Sequence, residues 1–332
     1  MIVGNFSRKD ALAAVASSGN LIFMLTGFFM GVSLGAGVVI SRYFGAKDYE
    51  TLEAAIHTNI AFGAVCGVLL SILGVVLAPQ ILILMQTPQD VLPLSTTYLR
   101  LYFLGAFFSL MYNTCMCILN AVGDSRTPLY YLIFSSVVNV VFDLIFVGTF
   151  QMGVAGAAIA TVISQAVSAV MCFVKLLRSN GPEHVVWKRI RFDGPMLRQI
   201  CEQGIPSGVQ NSIISIANVV VQSNINAFGS DAMAGCGAYS KIEGFVFLPI
   251  TAFTAAITTF IGQNLGAKEY DRAKRAARFG IFCAMLLAEL LGVILYFVCL
   301  TTTRRWSPSA FRRCARNACF SLDWRLRTAF LP

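Results

Sequence analysis

The side chain best placed to do chemistry is Asp143, the single charged residue in the apolar stretch Leu129 to Phe150. An ionised aspartate at the centre of a membrane helix costs about 2.5–3.5 kcal/mol on insertion scales, so its presence calls for a partner or a purpose. Helical spacing places Ser135, Asn139 and Asp143 at i, i+4 and i+8, which is one helix face. Hydroxyl, amide and carboxylate oxygens in such a stripe could ligate a hard cation, or tune a carboxyl that exchanges protons. Asn113 on the preceding apolar stretch can face the stripe, and so can Thr161 on the following one. Gly153, Ala157 and Thr161 form a small-residue ridge that permits close helix approach. Asp143, Asn139, Asn113 and Thr161 are therefore the candidate cation- or proton-binding residues, with Asp143 and Asn139 the ligands expected of a bound Na+.

The elements that must position these groups follow from composition. The chain has 332 residues, 57% of them hydrophobic and 12% charged, with a mean hydropathy of +0.71. So much apolar surface cannot be hidden in a water-soluble core, and an all-α multi-pass membrane protein is expected. About eight spans are read: Ala11 to Ile40, Ala54 to Leu77, Leu94 to Val122, Leu129 to Phe150, Val154 to Leu177, Met196 to Phe228, Ala232 to Leu265 and Ala273 to Leu300. The third, sixth and seventh exceed the hydrocarbon thickness and should tilt, kink or project into water. Unbroken runs such as Val68 to Val76 exclude the short alternating segments of a barrel. Basic residues fall in every second connection, at Arg42 and Lys47, at Arg126, between Lys175 and Arg198, and between Lys268 and Arg278. Those loops are assigned to the cytoplasm.

Gly45-Ala-Lys-Asp-Tyr49 returns as Gly266-Ala-Lys-Glu-Tyr270, and the same offset aligns Asp10-Ala-Leu-Ala13 with Asp231-Ala-Met-Ala234. The chain therefore holds two diverged copies of one membrane unit, an arrangement that in secondary transporters puts the transported species between the halves. The division expected is an N-terminal bundle over 1–179, a cytoplasmic linker over 180–195 and a partial C-terminal bundle of three helices over 196–300. Residues 301–332 carry seven arginines against Asp323, a net of +6 out of +9, and form an aberrant tail, disordered or translated out of frame. Met1 to Asn5 is read as the last turn of a helix whose first part is absent. The ten cysteines lie mostly along the expected helices and suit packing, while two histidines, His57 and His184, offer little to a transition metal. Gln210, Asn211, Asn218 and Gln222 suggest one polar side of the sixth span, after a bend at Gly204-Ile-Pro206. With Glu243 they are the candidate substrate path.

Several segments together carry a family resemblance: Lys9-Asp-Ala-Leu-Ala-Ala14, Arg42-Tyr-Phe-Gly-Ala-Lys-Asp-Tyr49, Gly123-Asp-Ser-Arg-Thr-Pro128, Gly153-Val-Ala-Gly-Ala-Ala158 and Gly262-Gln-Asn-Leu-Gly-Ala-Lys268. From Gly4 to Leu300 the sequence resembles the MATE (multidrug and toxic compound extrusion) family, in its bacterial DinF-like branch. The resemblance implies two six-helix bundles related by a pseudo-twofold axis, of which this chain would hold helices two to nine. It also implies export of organic cations, drugs or toxic metabolites across the bacterial cytoplasmic membrane in exchange for Na+ or H+. The family's Asn-x-x-x-Asp motif and neighbouring Asn and Thr fall on Asn139, Asp143, Asn113 and Thr161; its acidic partner on the first helix would precede Met1. The expected partners are a small organic cation or drug and membrane lipid, with no nucleic acid, no organic cofactor and a monomeric state. Two alternatives stand beside the exporter: a flippase for a lipid-linked precursor or polysaccharide, and an inactive fragment of a transporter. A membrane enzyme finds no catalytic carboxylate pair, histidine cluster or phosphate loop in the sequence.

Overall fold

The computed structural model describes residues 9–84, 92–226 and 230–302, with side chains described for 26–83, 92–218 and, beyond that, mainly 247–293. All regular structure among these residues is helical. In chain order the helices are α1 (Lys9–Ala46), α2 (Tyr49–Leu84), α3 (Leu92–Leu104), α4 (Ala106–Ala121), α5 (Arg126–Asp143), α6 (Gly153–Arg178), α7 (Gly194–Asn226), α8 (Ser230–Gly266) and α9 (Tyr270–Thr302). Five helices among the described residues are long and apolar enough to cross a membrane, and α3 with α4 makes a sixth broken span. Contacts divide the chain into Met1–Val219 and Val220–Pro332.

The repeated sequence motif repeats in the backbone. Lys47 and Lys268 both take left-handed φ values, 57° and 62°. In each copy the lysine N–H bonds three residues back, and the following acidic residue's N–H bonds five back, Lys47 to Phe44 and Asp48 to Tyr43, then Lys268 to Leu265 and Glu269 to Asn264. This double bond closes one helix and aims the chain into the next. Asp48, Asp124 and Asp193 then cap the starts of α2, α5 and α7, each accepting the N–H three residues on.

The third span bends by 43° between α3 and α4. Its cause is local. The side chain of Val162 on α6 occupies the place where a Cβ on Gly105 would lie, so only glycine fits. The break frees a backbone donor at Phe107, which Ser71 Oγ of α2 accepts at 3.1 Å. An unsatisfied N–H inside a bilayer would cost far more than this one hydroxyl contact.

Within the first unit the core joins α1, α2, α4, α6 and the start of α7 through Ile40, Leu52, Ile56, Ile118, Leu119, Leu176 and Ile200, all fully buried. Helices α1 and α7 touch through glycines at four-residue spacing. A Cβ on Gly31 would meet the backbone N of Gly208 at 2.5 Å, and one on Gly35 would overlap Gly204. Helix α7 runs through Pro206 without a break. In the second unit α8 packs on α9, with Ala273, Ala284 and Ala288 buried and Arg272 lying 5.5 Å over the ring of Phe260.

Candidate functional site

A cavity of about 490 Å³ opens between α1, α4, α5 and α6, bounded also by Tyr102 of α3. Ser109 and Asn113 line it from α4. Ser135, Ser136 and Asn139 line it from α5, and Thr161, Ser164, Gln165 and Ser168 from α6. Three of the four sequence candidates, Asn113, Asn139 and Thr161, thus meet at one cavity. Asp143 is not among its lining residues. It sits one turn further along α5, half-buried, with Tyr98 of α3 within electrostatic reach.

The lining has a consistent polarity. Ser135 and Ser136 donate to the carbonyl of Leu132 at 3.0 and 2.8 Å. Thr161 donates to Ala157, Ser164 to Thr161 and Ser168 to Gln165, all at 2.8–2.9 Å. Asn113 Nδ2 donates to Ser109 O at 2.8 Å. Each of these hydroxyls commits its proton to its own helix and keeps only lone pairs for the cavity, and Asn113 keeps its amide oxygen. Among the lining residues none is basic. A wall of acceptors favours a guest that brings positive charge or donors.

Two buried polar atoms at the site have no hydrogen-bond partner among the described residues, Asn139 Nδ2 and Asp143 Oδ1. They lie one helical turn apart on adjoining steps of the same face. A buried group left unpaired costs about 1–3 kcal/mol, and more when charged. At Asp143 the helix also changes pitch: Leu144–Thr149 is a π-helix, and Phe150 N–H bonds Ile145 O. Such widened turns are frequent at functional sites. Phe142, Phe146 and Phe150 stack along this segment with centroids 5.4 and 6.4 Å apart. Nothing in the residue types announced the π-turn, in which Val147 is buried with Tyr98, Val154 and Ala158.

The second set of sequence candidates is dispersed. Asn211 Nδ2 donates to Gly27 O at 3.3 Å, a bond between α7 and α1 beside their glycine contact. Gln210 and Asn218 are exposed. The side chains of Gln222 and Glu243 lie outside the described residues.

The linker expected over 180–195, between α6 and α7, is strapped to the bundle. Val185 is 1% exposed within the core, and its N–H bonds Leu176 O. His57 of α2, 3% exposed, accepts the Val186 N–H on Nε2 at 3.0 Å and donates Nδ1–H to Glu53 O at 2.7 Å. Thr58 Oγ1 accepts the Asp193 N–H, and Arg189 pairs with Glu53 at 2.9 Å.

Comparison with known proteins accords with this architecture. The MatE family model matches residues 1–145 and 206–305. The chain is similar to "Probable multidrug resistance protein YoeA" of Bacillus subtilis (strain 168), 32% identical over 303 residues that cover 89% of this chain and 65% of YoeA. It is also similar to a protein named "FAD transporter" from Shewanella oneidensis, 25% identical over 87% of this chain and 65% of that one. The chain thus spans about two thirds or less of the curated relatives it matches. Among solved structures, one described as "Crystal structure of MATE in complex with MaD3S" superposes with a TM-score of 0.86 at 20% identity, covering 99% of this chain and 76% of that chain. A transporter from Pyrococcus furiosus, described by "Reverse polarity of binding pocket suggests different function of a MOP superfamily transporter", superposes with a TM-score of 0.83 at 23% identity, covering 93% and 69%.

Proposed function

The chain belongs to the MATE family of multi-pass bacterial membrane transporters, and on that premise we propose that it serves export of organic cations, drugs or toxic metabolites, driven by inward movement of Na+ or H+. The observation that carries this reading is the polarity of the first-unit cavity. Its hydroxyls and the Asn113 oxygen offer lone pairs, no lining residue is basic, and an acid stands one turn away.

Each residue then has a physical task. Asn113, Thr161 and Ser135 supply neutral oxygens to a cation at the wall. Asn139 can turn its amide to present either oxygen to an ion or N–H to the neighbouring carboxylate. Asp143 brings a formal negative charge one turn from the cavity and alternates between a neutralised state, ion-bound or protonated, and an open one. Binding an ion or a proton satisfies the orphaned Asp143 oxygen and stabilises whichever helix arrangement encloses it, and release reverses that bias. Rocking of one bundle against the other would then alternate access, with the arrangement set by occupancy of Asp143.

A flippase for a pyrophosphate-linked lipid would need basic groups to hold its anion, and the cavity lining supplies none. The same argument separates this site from one suited to a flavin dinucleotide, although one relative bears that name. Efflux of ethidium from cells producing the protein, with and without Asp143→Asn, tests the reading. Loss of Na+- or H+-dependent efflux is expected, and unchanged efflux would remove Asp143 from the mechanism.

A further inference from the structure

The strap between α6 and α7 has an outer edge that nothing above uses. Trp187 is 68% exposed and Phe192 48%, and between them Lys188 and Arg191 are exposed as well. Exposed tryptophan is costly in water unless another surface covers part of it. Trp187 is not adrift: its ring meets Phe173 of α6 edge-on, with centroids 5.6 Å apart. The inner edge is fixed by Val185, by the His57 bond to Val186 and by the Thr58 bond to Asp193. The outer edge is therefore presented in one orientation rather than as a loose loop.

Its level relative to the bilayer can be read from the helices that hold it. Exposed apolar side chains on α2 run from Val65 to Ile83, a rise of about 27 Å, close to a hydrocarbon thickness of about 30 Å. The strap grips α2 at Glu53, His57 and Thr58, beyond that band on its basic end. On α6 the last strongly exposed apolar residue is Val170; Phe173, which carries Trp187, follows one turn later, and Lys175 and Arg178 end the helix. On α7 the exposed apolar face begins at Ile205, after Arg198. All three helices place the strap just outside the hydrocarbon, where tryptophan rings and basic side chains are both favoured.

We propose that the outer edge of residues 186–192 is a docking surface for anionic phospholipid headgroups. Trp187 and Phe192 enter the headgroup boundary, while Lys188 and Arg191 pair with lipid phosphates. Arg189, also exposed, is paired with Glu53 and is not counted with them. Because the strap joins α6 to α7, lipid held there would bear on the connection between the two halves of the sequence repeat.

The protein contains three tryptophans, so the full chain with Trp306→Phe and Trp324→Phe reports on Trp187 alone. It is placed in lipid nanodiscs of phosphatidylcholine with a minor fraction of phosphatidylglycerol, one or the other being brominated near the headgroup. Brominated phosphatidylglycerol is expected to quench Trp187 more than brominated phosphatidylcholine at equal mole fraction, reflecting a local enrichment of up to roughly 30-fold from two surface cations. Lys188→Gln with Arg191→Gln removes the difference, and salt weakens it in the parent. Quenching that ignores the headgroup, no quenching at all, or a preference that survives the double substitution would each overturn the proposal.

Discussion

Replacing His57 by Phe isolates what holds the strap. The ring volume stays, so the packing around a residue that is 3% exposed is nearly kept, but the Val186 N–H loses its acceptor. An orphaned, partly buried donor costs about 1–3 kcal/mol, which at about 1.4 kcal/mol per decade predicts roughly 5- to 150-fold faster opening of the strap. The exposed Arg189–Glu53 pair cannot compensate, since such pairs contribute about 0–1 kcal/mol. Hydrogen–deuterium exchange over residues 184–193, read by mass spectrometry on the protein in detergent or nanodiscs, measures the effect directly. His57→Gln restores an acceptor and should return most of the protection. Both hydrogen-bond partners fix the imidazole as the neutral Nδ1–H form, because Val186 can only donate and the Glu53 carbonyl only accept. Equal protection in wild type and His57→Phe would refute the reasoning.

Three further outcomes follow from contacts described above. Gly31→Ala should lower thermal stability by about 1–3 kcal/mol, because the new Cβ meets the backbone of Gly208, whereas Gly27→Ala, facing Ser215 Oγ at 3.7 Å, should be neutral or slightly stabilising by helix propensity; paired melting curves compare them. Ser71→Ala leaves the Phe107 N–H without its acceptor at the α3–α4 break and should destabilise by about 1–3 kcal/mol in the same assay, while Ser71→Thr should not. Thr161→Val keeps the volume but removes one cavity acceptor, so affinity for an organic cation should fall by about 2- to 12-fold, measured by equilibrium dialysis.

Much of the scaffold was legible because a bilayer demands long apolar runs and closed backbone hydrogen bonding. The stretch read as Val154 to Leu177 is α6 within a residue at each end, and the excess length of Leu94 to Val122 resolves as the bend at Gly105. The Gly-Ala-Lys repeat was visible as words, and the structure gives its meaning as two equivalent left-handed lysine turns. Spacing along α5 put Ser135, Asn139 and Asp143 on one face; Ser135 and Asn139 line the cavity, and Asp143 lies one turn beyond them. The π-turn that follows Asp143 is not encoded in hydrophobic periodicity. The strap escaped for a similar reason: its hydrogen bonds join positions more than a hundred residues apart, and polar composition there looked like any surface loop.

Equilibrium binding of radiolabelled tetraphenylphosphonium to the purified protein tests the cation site most directly. The label should bind, be displaced by raising Na+ or H+ and not by an anion of similar size, and Asp143→Asn should abolish the displacement. Binding that ignores both ions in the wild type, or displacement that persists unchanged in Asp143→Asn, would contradict a cation-exchanging cavity built on this carboxylate.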